Sequence, residues 1–276
     1  MANKKEKDTA TKKTEEPVVA KLVTPDEKNG RSASAWRLAL YGVGLCLWVV
    51  GVSIAVQLLV GLFIGHVLMK YGVILESAID TPAFMSAYQA VVYAISLVIS
   101  ILLPWKVLHA KVTRNEIGLE GLPTWTDVLL APIGLILSLI LGGVLLMICE
   151  KLIPGVDWGQ EQDVGFNVLA SSSDYVLAFV SLVIVAPICE ELIFRGWLYA
   201  KLRARMKALP AIFLVSLAFG VAHLQWNVGV TVFVMSVFMC LLRELTGTIY
   251  SGILVHMLKN GLAFYVLYAA VPFLHY

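Results

Sequence analysis

Seven apolar stretches, at about 37–68, 88–108, 127–152, 174–200, 209–224, 228–243 and 249–274, leave this chain few ways to fold. Several exceed the ~18 apolar residues that separate a membrane-spanning helix from a buried core helix. A soluble domain carries roughly 25% charged residues. Here 14% are charged and 59% are hydrophobic. The alternating segments of about ten residues that a membrane β-barrel needs do not occur. The predicted fold is therefore all-α, a polytopic transmembrane helical bundle of about seven spans. The first stretch is long for one ~30 Å crossing. It either tilts or ends outside the bilayer, and a break at Gly51 or Gly61 would make eight spans.

Lysine and arginine set the orientation of such a bundle. Up to Arg37 the chain holds Lys4, Lys5, Lys7, Lys12, Lys13, Lys21, Lys28, Arg31 and Arg37. The second-to-third connection holds Lys106, Lys111 and Arg114, and the junction after the fourth span holds Arg195, Lys201, Arg203, Arg205 and Lys207. The intervening connections hold only Lys70 and Lys151, and the second of them carries Asp157, Glu161, Asp163 and Asp174. Alternate connections thus separate by charge, which places the N-terminus in the cytoplasm and, with seven spans, the C-terminus outside.

Residues 1–35 are polar and lysine-rich and lack an apolar core; a signal peptide would place its apolar run directly behind a short basic region, so this segment reads instead as a disordered basic cytoplasmic tail. The acidic connection at 153–173, with Pro154, Gly155 and Ser171 to Ser173, divides the remainder. Spans in 36–153 carry almost no ionisable residues and read as scaffold; those in 172–272 carry nearly all the chemistry. Cys46, Cys149, Cys189 and Cys240 lie in different apolar stretches with no CxxC spacing, so neither a disulfide framework nor a cysteine zinc site is expected.

Three signatures fall on successive stretches: Glu190-Glu191-Leu192-Ile193-Phe194-Arg195, Phe219-Gly220-Val221-Ala222-His223 and His256-Met257-Leu258-Lys259-Asn260. Ionisable groups are costly in a bilayer and need a local reason to be there. Glu191 lies four residues before Arg195, the favourable order for an intrahelical ion pair. Glu190, about 100° around the helix, is left on a neighbouring face with Phe194 and Trp197, the place for a general base. Pro187 cannot donate to Val183, so a kink there would open space for water beside Glu190. His223 follows small residues that permit close helix approach, and its imidazole can accept a proton, orient water or bind metal. His256 and Asn260 share a face and offer N–H donors for an oxyanion, a histidine ligand with a supporting amide, or polar links to a neighbouring helix. His66, His109 and His275 sit near span ends, as interfacial residues do. Lys259 lies mid-span without an evident partner.

EELIFRGWLY at 190–199 resembles the first motif of the CAAX prenyl endopeptidase and bacteriocin-processing (CPBP, or Abi) family of intramembrane proteases. FGVAHL at 219–224 and HMLKN at 256–260 resemble its later motifs. The resemblance covers about 172–272. It implies that Glu190 and His223 polarise an attacking water, that His256 and Asn260 hold the developing oxyanion, and that Glu191 and Arg195 support them. The family is described both as glutamate-dependent and as metal-dependent. A zinc, if present, would be held by Glu190, His223 and His256; the absence of an HExxH pair weighs against an obligatory one.

The expected function is hydrolysis of a peptide bond in a hydrophobic, membrane-associated or lipid-linked peptide at the plasma membrane, with no nucleic-acid partner. The rivals are a non-catalytic immunity protein of the same fold and a proton-coupled transporter. Transport is disfavoured by the lack of an internal hydropathy repeat. Because Glu190 and His256 lie near the basic junction, the cavity is expected to open to the cytoplasm, with Arg203, Arg205 and Lys207 at its mouth.

Overall fold

The computed structural model describes residues 34–72, 81–108, 112–160, 162, 164–166 and 169–270. The basic tail lies, up to residue 33, outside these residues, as do His109, Lys111 and His275. Every regular element among the described residues is helical. The elements are α1 (Ala35–Lys70), α2 (Pro82–Val107), α3 (Trp125–Leu152), α4 (Ser172–Arg203), α5 (Ala208–Ala222), α6 (Trp226–Thr246) and α7 (Tyr250–Phe264). A π-helical turn, Tyr265–Ala270, prolongs α7.

Five of these, α1 to α4 and α6, are long and apolar enough to cross a membrane; α5 is apolar but only 15 residues long. The chain is a helical integral membrane protein. Helix α1 runs unbroken through Gly51 and Gly61 for 36 residues, about 54 Å at 1.5 Å per residue, so the first stretch does not split in two.

Local chemistry accounts for several boundaries. Thr124 caps α3 and Ser171 caps α4, each in a reciprocal pair with the aspartate three residues on, Asp127 and Asp174. Helices α5 and α6 cross through Gly220 and Gly229. A Cβ on Gly220 would stand 2.7 Å from the Gly229 carbonyl oxygen, so neither position has room for a side chain. Burial ranks the helices. Within the apolar window of each, 39% of residues are buried in α4 and 44% in α6, but 11% in α1. Helices α4 and α6 therefore form the centre. Helix α1, with Leu47, Leu58, Leu62 and Phe63 exposed, turns its apolar surface to hydrocarbon.

Hydrogen bonds between connections sort the bundle into two ends. At one, the Ile249 amide donates to Gly118 (3.0 Å), Arg243 Nη2 to the Glu116 carbonyl (2.6 Å) and Tyr250 to the Gly121 carbonyl (3.0 Å). This basic end also holds the 195–207 junction, where Arg205 lies over the Tyr41 ring at 4.2 Å. At the other, Gln89 donates to the Val164 carbonyl (3.2 Å), Tyr268 to that of Phe166 (2.8 Å) and Asn227 to that of Gln160 (2.8 Å). This is the acidic end.

The start of α7 is pinned by a group that the hydropathy pattern hides. Asp127, fully buried, accepts from the Thr124 amide and hydroxyl (2.8 and 2.7 Å), the Thr248 hydroxyl (3.0 Å) and the Ser251 hydroxyl (2.7 Å). Asp127→Ala removes the shared acceptor and strands buried donors. It should cost roughly 2–4 kcal/mol, hydrogen bonds to a charged group each contributing about 1.5–3 kcal/mol. Thermal unfolding in detergent measures this, and an unchanged melting temperature would show the network to be dispensable.

Candidate active site

Helix α4 is not a uniform α-helix. Two π-helical stretches, Val180–Val185 and Leu192–Leu198, flank the six α-helical residues Ala186–Glu191. Pro187 follows the first of them, where its missing N–H relaxes the hydrogen-bond ladder. The irregularity expected from Pro187 is thus present, as a widened turn on either side of the two glutamates.

Glu191 and Arg195 are the sealed part of the cluster. Arg195 Nη1 donates to Glu191 Oε1 at 2.8 Å, and neither side chain has any exposed surface. Arg195 therefore does not belong to the surface basic cluster. Its guanidinium stacks over Phe219 at 4.3 Å, a cation–π contact strengthened by desolvation. Phe219 is also edge-on to Phe194 (5.0 Å), His223 (5.0 Å) and His256 (5.8 Å), so one ring wedges the three signatures together. The close approach of α7 depends on Gly252, where a Cβ would stand 3.0 Å from Glu191 Oε2.

His256 sits between the two glutamates. Its Nδ1 is 3.2 Å from Glu191 Oε1 and its Nε2 is 3.9 Å from Glu190 Oε2. The 100° separation of adjacent residues on α4 makes this possible, since the carboxylates reach the ring from different sides. A carboxylate accepts, so Nδ1 carries the proton toward Glu191. Glu190 keeps 20% of its side chain exposed.

His223 is the C-cap of α5, and its Nδ1 donates to the Phe219 carbonyl at 2.8 Å. A carbonyl can only accept, so Nε2 of the neutral ring retains its lone pair. Leu224, next in the chain, has φ 53°, a left-handed conformation in which a residue other than glycine is strained. It ends α5 directly after His223, holding that side chain at the mouth of the turn.

Asn260 Nδ2 donates to the Leu182 carbonyl at 2.9 Å, inside the first π-helical stretch. One of its two N–H groups is therefore a helix-to-helix link, as the polar-link alternative anticipated. Lys259 makes no ion pair within 4.0 Å among the described residues and lines the same cavity as Glu190.

Glu190, His223, His256, Lys259 and Asn260 all line one cavity of about 460 Å³. The tertiary structure brings these residues together from three helices. It also brings in Tyr93, whose hydroxyl donates to Glu190 Oε1 at 2.7 Å. Tyr93 belongs to α2, in the half read as scaffold, so the division between scaffold and chemistry is not clean. Its sequence context, an apolar span with no motif, carries no signal that separates it from an ordinary membrane tyrosine.

The cavity does not lie toward the basic junction. Arg203 is bound to Glu244 (3.0 Å) and Arg205 to the Tyr41 ring, and neither they nor Lys207 line it. Nor, among the described residues, are three or more His, Cys, Asp or Glu side chains grouped to hold a metal ion. The proposed chemistry therefore runs through the cavity side chains and water alone.

Fold and site together define a membrane-embedded helical protein with a sealed Glu–Arg pair supporting a Glu–His centre in a cavity. Residues 172–262, about a third of the chain, match the family model described as Type II CAAX prenyl endopeptidase Rce1-like, so this part of the chain is similar to that family of membrane proteases. No curated protein and no solved structure matches it.

The Tyr93 contact makes a prediction. Tyr93→Phe keeps the ring and deletes the hydroxyl, leaving Glu190 Oε1 without its donor. Turnover should fall roughly tenfold, the loss of one charged hydrogen bond of about 1.5–3 kcal/mol applied to a positioning group. Tyr93→Phe with wild-type turnover and an unchanged pH profile would make the contact incidental.

Proposed function

We propose that this protein is an intramembrane endopeptidase that uses water activated by Glu190 and His223 to cleave a hydrophobic, membrane-associated or lipid-linked peptide. The observation that carries this reading is the unequal treatment of two adjacent carboxylates. Glu191 is sealed against Arg195, while Glu190 is partly exposed in the cavity with His223 and His256 beside it.

In this mechanism a water enters the cavity between Glu190 and His223. Glu190 takes one of its protons as the oxygen bonds to the scissile carbonyl carbon, while the His223 Nε2 lone pair orients the remaining O–H. The carbonyl π pair moves onto oxygen, and the oxyanion is held by His256 Nε2–H and the second N–H of Asn260. In this role His256 carries both ring protons, with Nδ1–H on Glu191, so Glu191 and Arg195 hold the ring in place. As the tetrahedral adduct collapses, the C–N bond breaks and the proton on Glu190 passes to the leaving nitrogen. Tyr93 keeps Glu190 oriented throughout.

The wider arrangement in this reading is seven spans, a cytoplasmic N-terminal tail at 1–35, scaffold helices at 36–153 and catalytic helices at 172–272, in the plasma membrane; charge and hydropathy support the spans and their orientation. The test is incubation of the purified protein with labelled hydrophobic peptides, wild type beside Glu190→Ala, with products read by mass spectrometry. Cleavage by the wild type alone, persisting in a chelator, is the expected result. Peptide binding without cleavage would transfer the chain to the immunity or binding reading. Activity lost to the chelator and restored by zinc would replace the water-activation scheme with a metal one.

A further inference from the structure

We infer that the candidate active site receives its peptide from the non-cytoplasmic side of the membrane, and that this peptide is an uncharged, apolar segment that has already crossed it. The inference rests on the proposed peptidase reading for the word peptide, but its sidedness stands on the fold.

The catalytic candidates lie part-way along the bundle, and the cavity extends from them in one direction. Along α4 it runs from Ile193 and Phe194, one turn beyond Glu190, back past Glu190 to Ala186 and Leu182 on the N-terminal side. Along α7 it continues from His256 through Ala263 and Phe264 to Tyr268. Helix α2 contributes its first half, from Met85 to Ser96, and α5 only its last turn. The lining then reaches Gln162, Val164 and Gly165 in the connection between α3 and α4. Each of these progressions leads to the acidic end, where Gln89 and Tyr268 bind that same connection.

The opposite direction is closed. Below Glu191 and Arg195, α4 continues with Trp197, Leu198, Tyr199 and Leu202, all at most 1% exposed. Arg243 spans this layer, with Nη2 on the Glu116 carbonyl at 2.6 Å and its guanidinium over the Tyr199 ring at 5.1 Å. A peptide cannot pass through packing of this kind without unfolding it.

Positively charged connections stay in the cytoplasm, and lysine and arginine alone set this bias. The closed end carries Arg37, Lys106, Arg114, Lys201, Arg203, Arg205 and Lys207, and the open end Lys70 and Lys151. Joining the two facts turns the cavity away from the cytoplasm. The chemistry of the passage fits an uncharged chain. Beyond Lys259, its described lining offers amides and hydroxyls (Gln57, Gln89, Gln162, Tyr88, Tyr268) among apolar groups. Side-chain amides both donate and accept, as a peptide backbone requires.

The test uses the full chain with Cys46, Cys149, Cys189 and Cys240 replaced. Single cysteines are placed at the cavity (Gln57→Cys, Val164→Cys) and at the basic end (Lys106→Cys, Arg205→Cys). Intact cells are treated with a membrane-impermeant maleimide, before and after permeabilisation. Labelling of the first pair in intact cells, and of the second only after permeabilisation, is expected. The reverse pattern overturns the inference, and two positions per end guard against one variant failing to fold. In parallel, an apolar peptide bearing a sulfonated, impermeant fluorophore is offered to intact cells and to inverted vesicles. Cleavage by intact cells supports the inference, and cleavage by inverted vesicles alone defeats it. The expected labelling with cleavage in neither preparation leaves the sidedness standing and counts against the peptidase reading instead.

Discussion

Glu190→Gln should lower turnover by about 10²–10⁴, the range typical for loss of a general base. The amide is nearly isosteric, so it can still accept the Tyr93 hydroxyl that now binds Glu190 Oε1 at 2.7 Å. It cannot take a proton from water. Glu190 keeps 20% of its side chain exposed and stands 3.9 Å from His256 Nε2, so the change breaks no close, fully buried ion pair of the Glu191–Arg195 kind. Expression and melting temperature should therefore stay close to wild type while activity disappears. Retention of more than half the wild-type rate would remove Glu190 from the role of base. Peptide affinity serves as the internal control: binding should survive in Glu190→Gln, because the change touches the transition state rather than the passage that holds the substrate.

Glu191→Ala should behave in the opposite way. It leaves Arg195 fully buried without its carboxylate, and it strips the Nδ1 acceptor from His256. Breaking a buried pair by removing one partner costs about 3–5 kcal/mol, because an uncompensated charge stays behind. In a membrane interior water is not at hand to replace the partner. The expected result is low expression and a large fall in melting temperature, with activity reduced in whatever protein is recovered. Glu191→Gln is the softer companion. Its carbonyl can still accept from Arg195 and His256, so it should fold better than Glu191→Ala while remaining less active than wild type. If Glu191→Ala expressed normally and melted at the wild-type temperature, the sealed pair would be irrelevant to stability and the support role would fall. The two glutamates are thus separable by experiment: one change silences the protein with little harm to its fold, the other undermines the fold.

That the described residues form a succession of apolar helices was legible in the chain because long apolar runs admit few structures; five of those helices are long enough to cross a membrane. The pairing of Glu191 with Arg195 was legible too, since four residues on a helix is a contact distance. That Glu190 would face elsewhere followed from the same geometry. The three signatures identified the region that the family model matches, 172–262.

What lay beyond the sequence were relations between helices, which depend on packing and on no local period. Tyr93 reaches Glu190 across 97 residues of chain, and Asp127 gathers Ser251 across 124. Neither has a motif, because a single hydroxyl or carboxylate in an apolar run looks the same whether it serves a site or the lipid interface. The direction of the cavity was misjudged for a related reason. Distance along α4 placed Glu190 near the basic junction, but access depends on which side of the residue the neighbouring helices leave open. Large side chains, Trp197, Tyr199 and Arg243, fill the basic side, whereas Ala186, Ala222 and Ala263 leave room on the other. Hydropathy decided that the chain enters the membrane, and residue spacing decided which groups share a helix face. Only tertiary packing decided which faces meet and on which side the cavity lies, because side-chain volume acts between helices that the sequence does not place together.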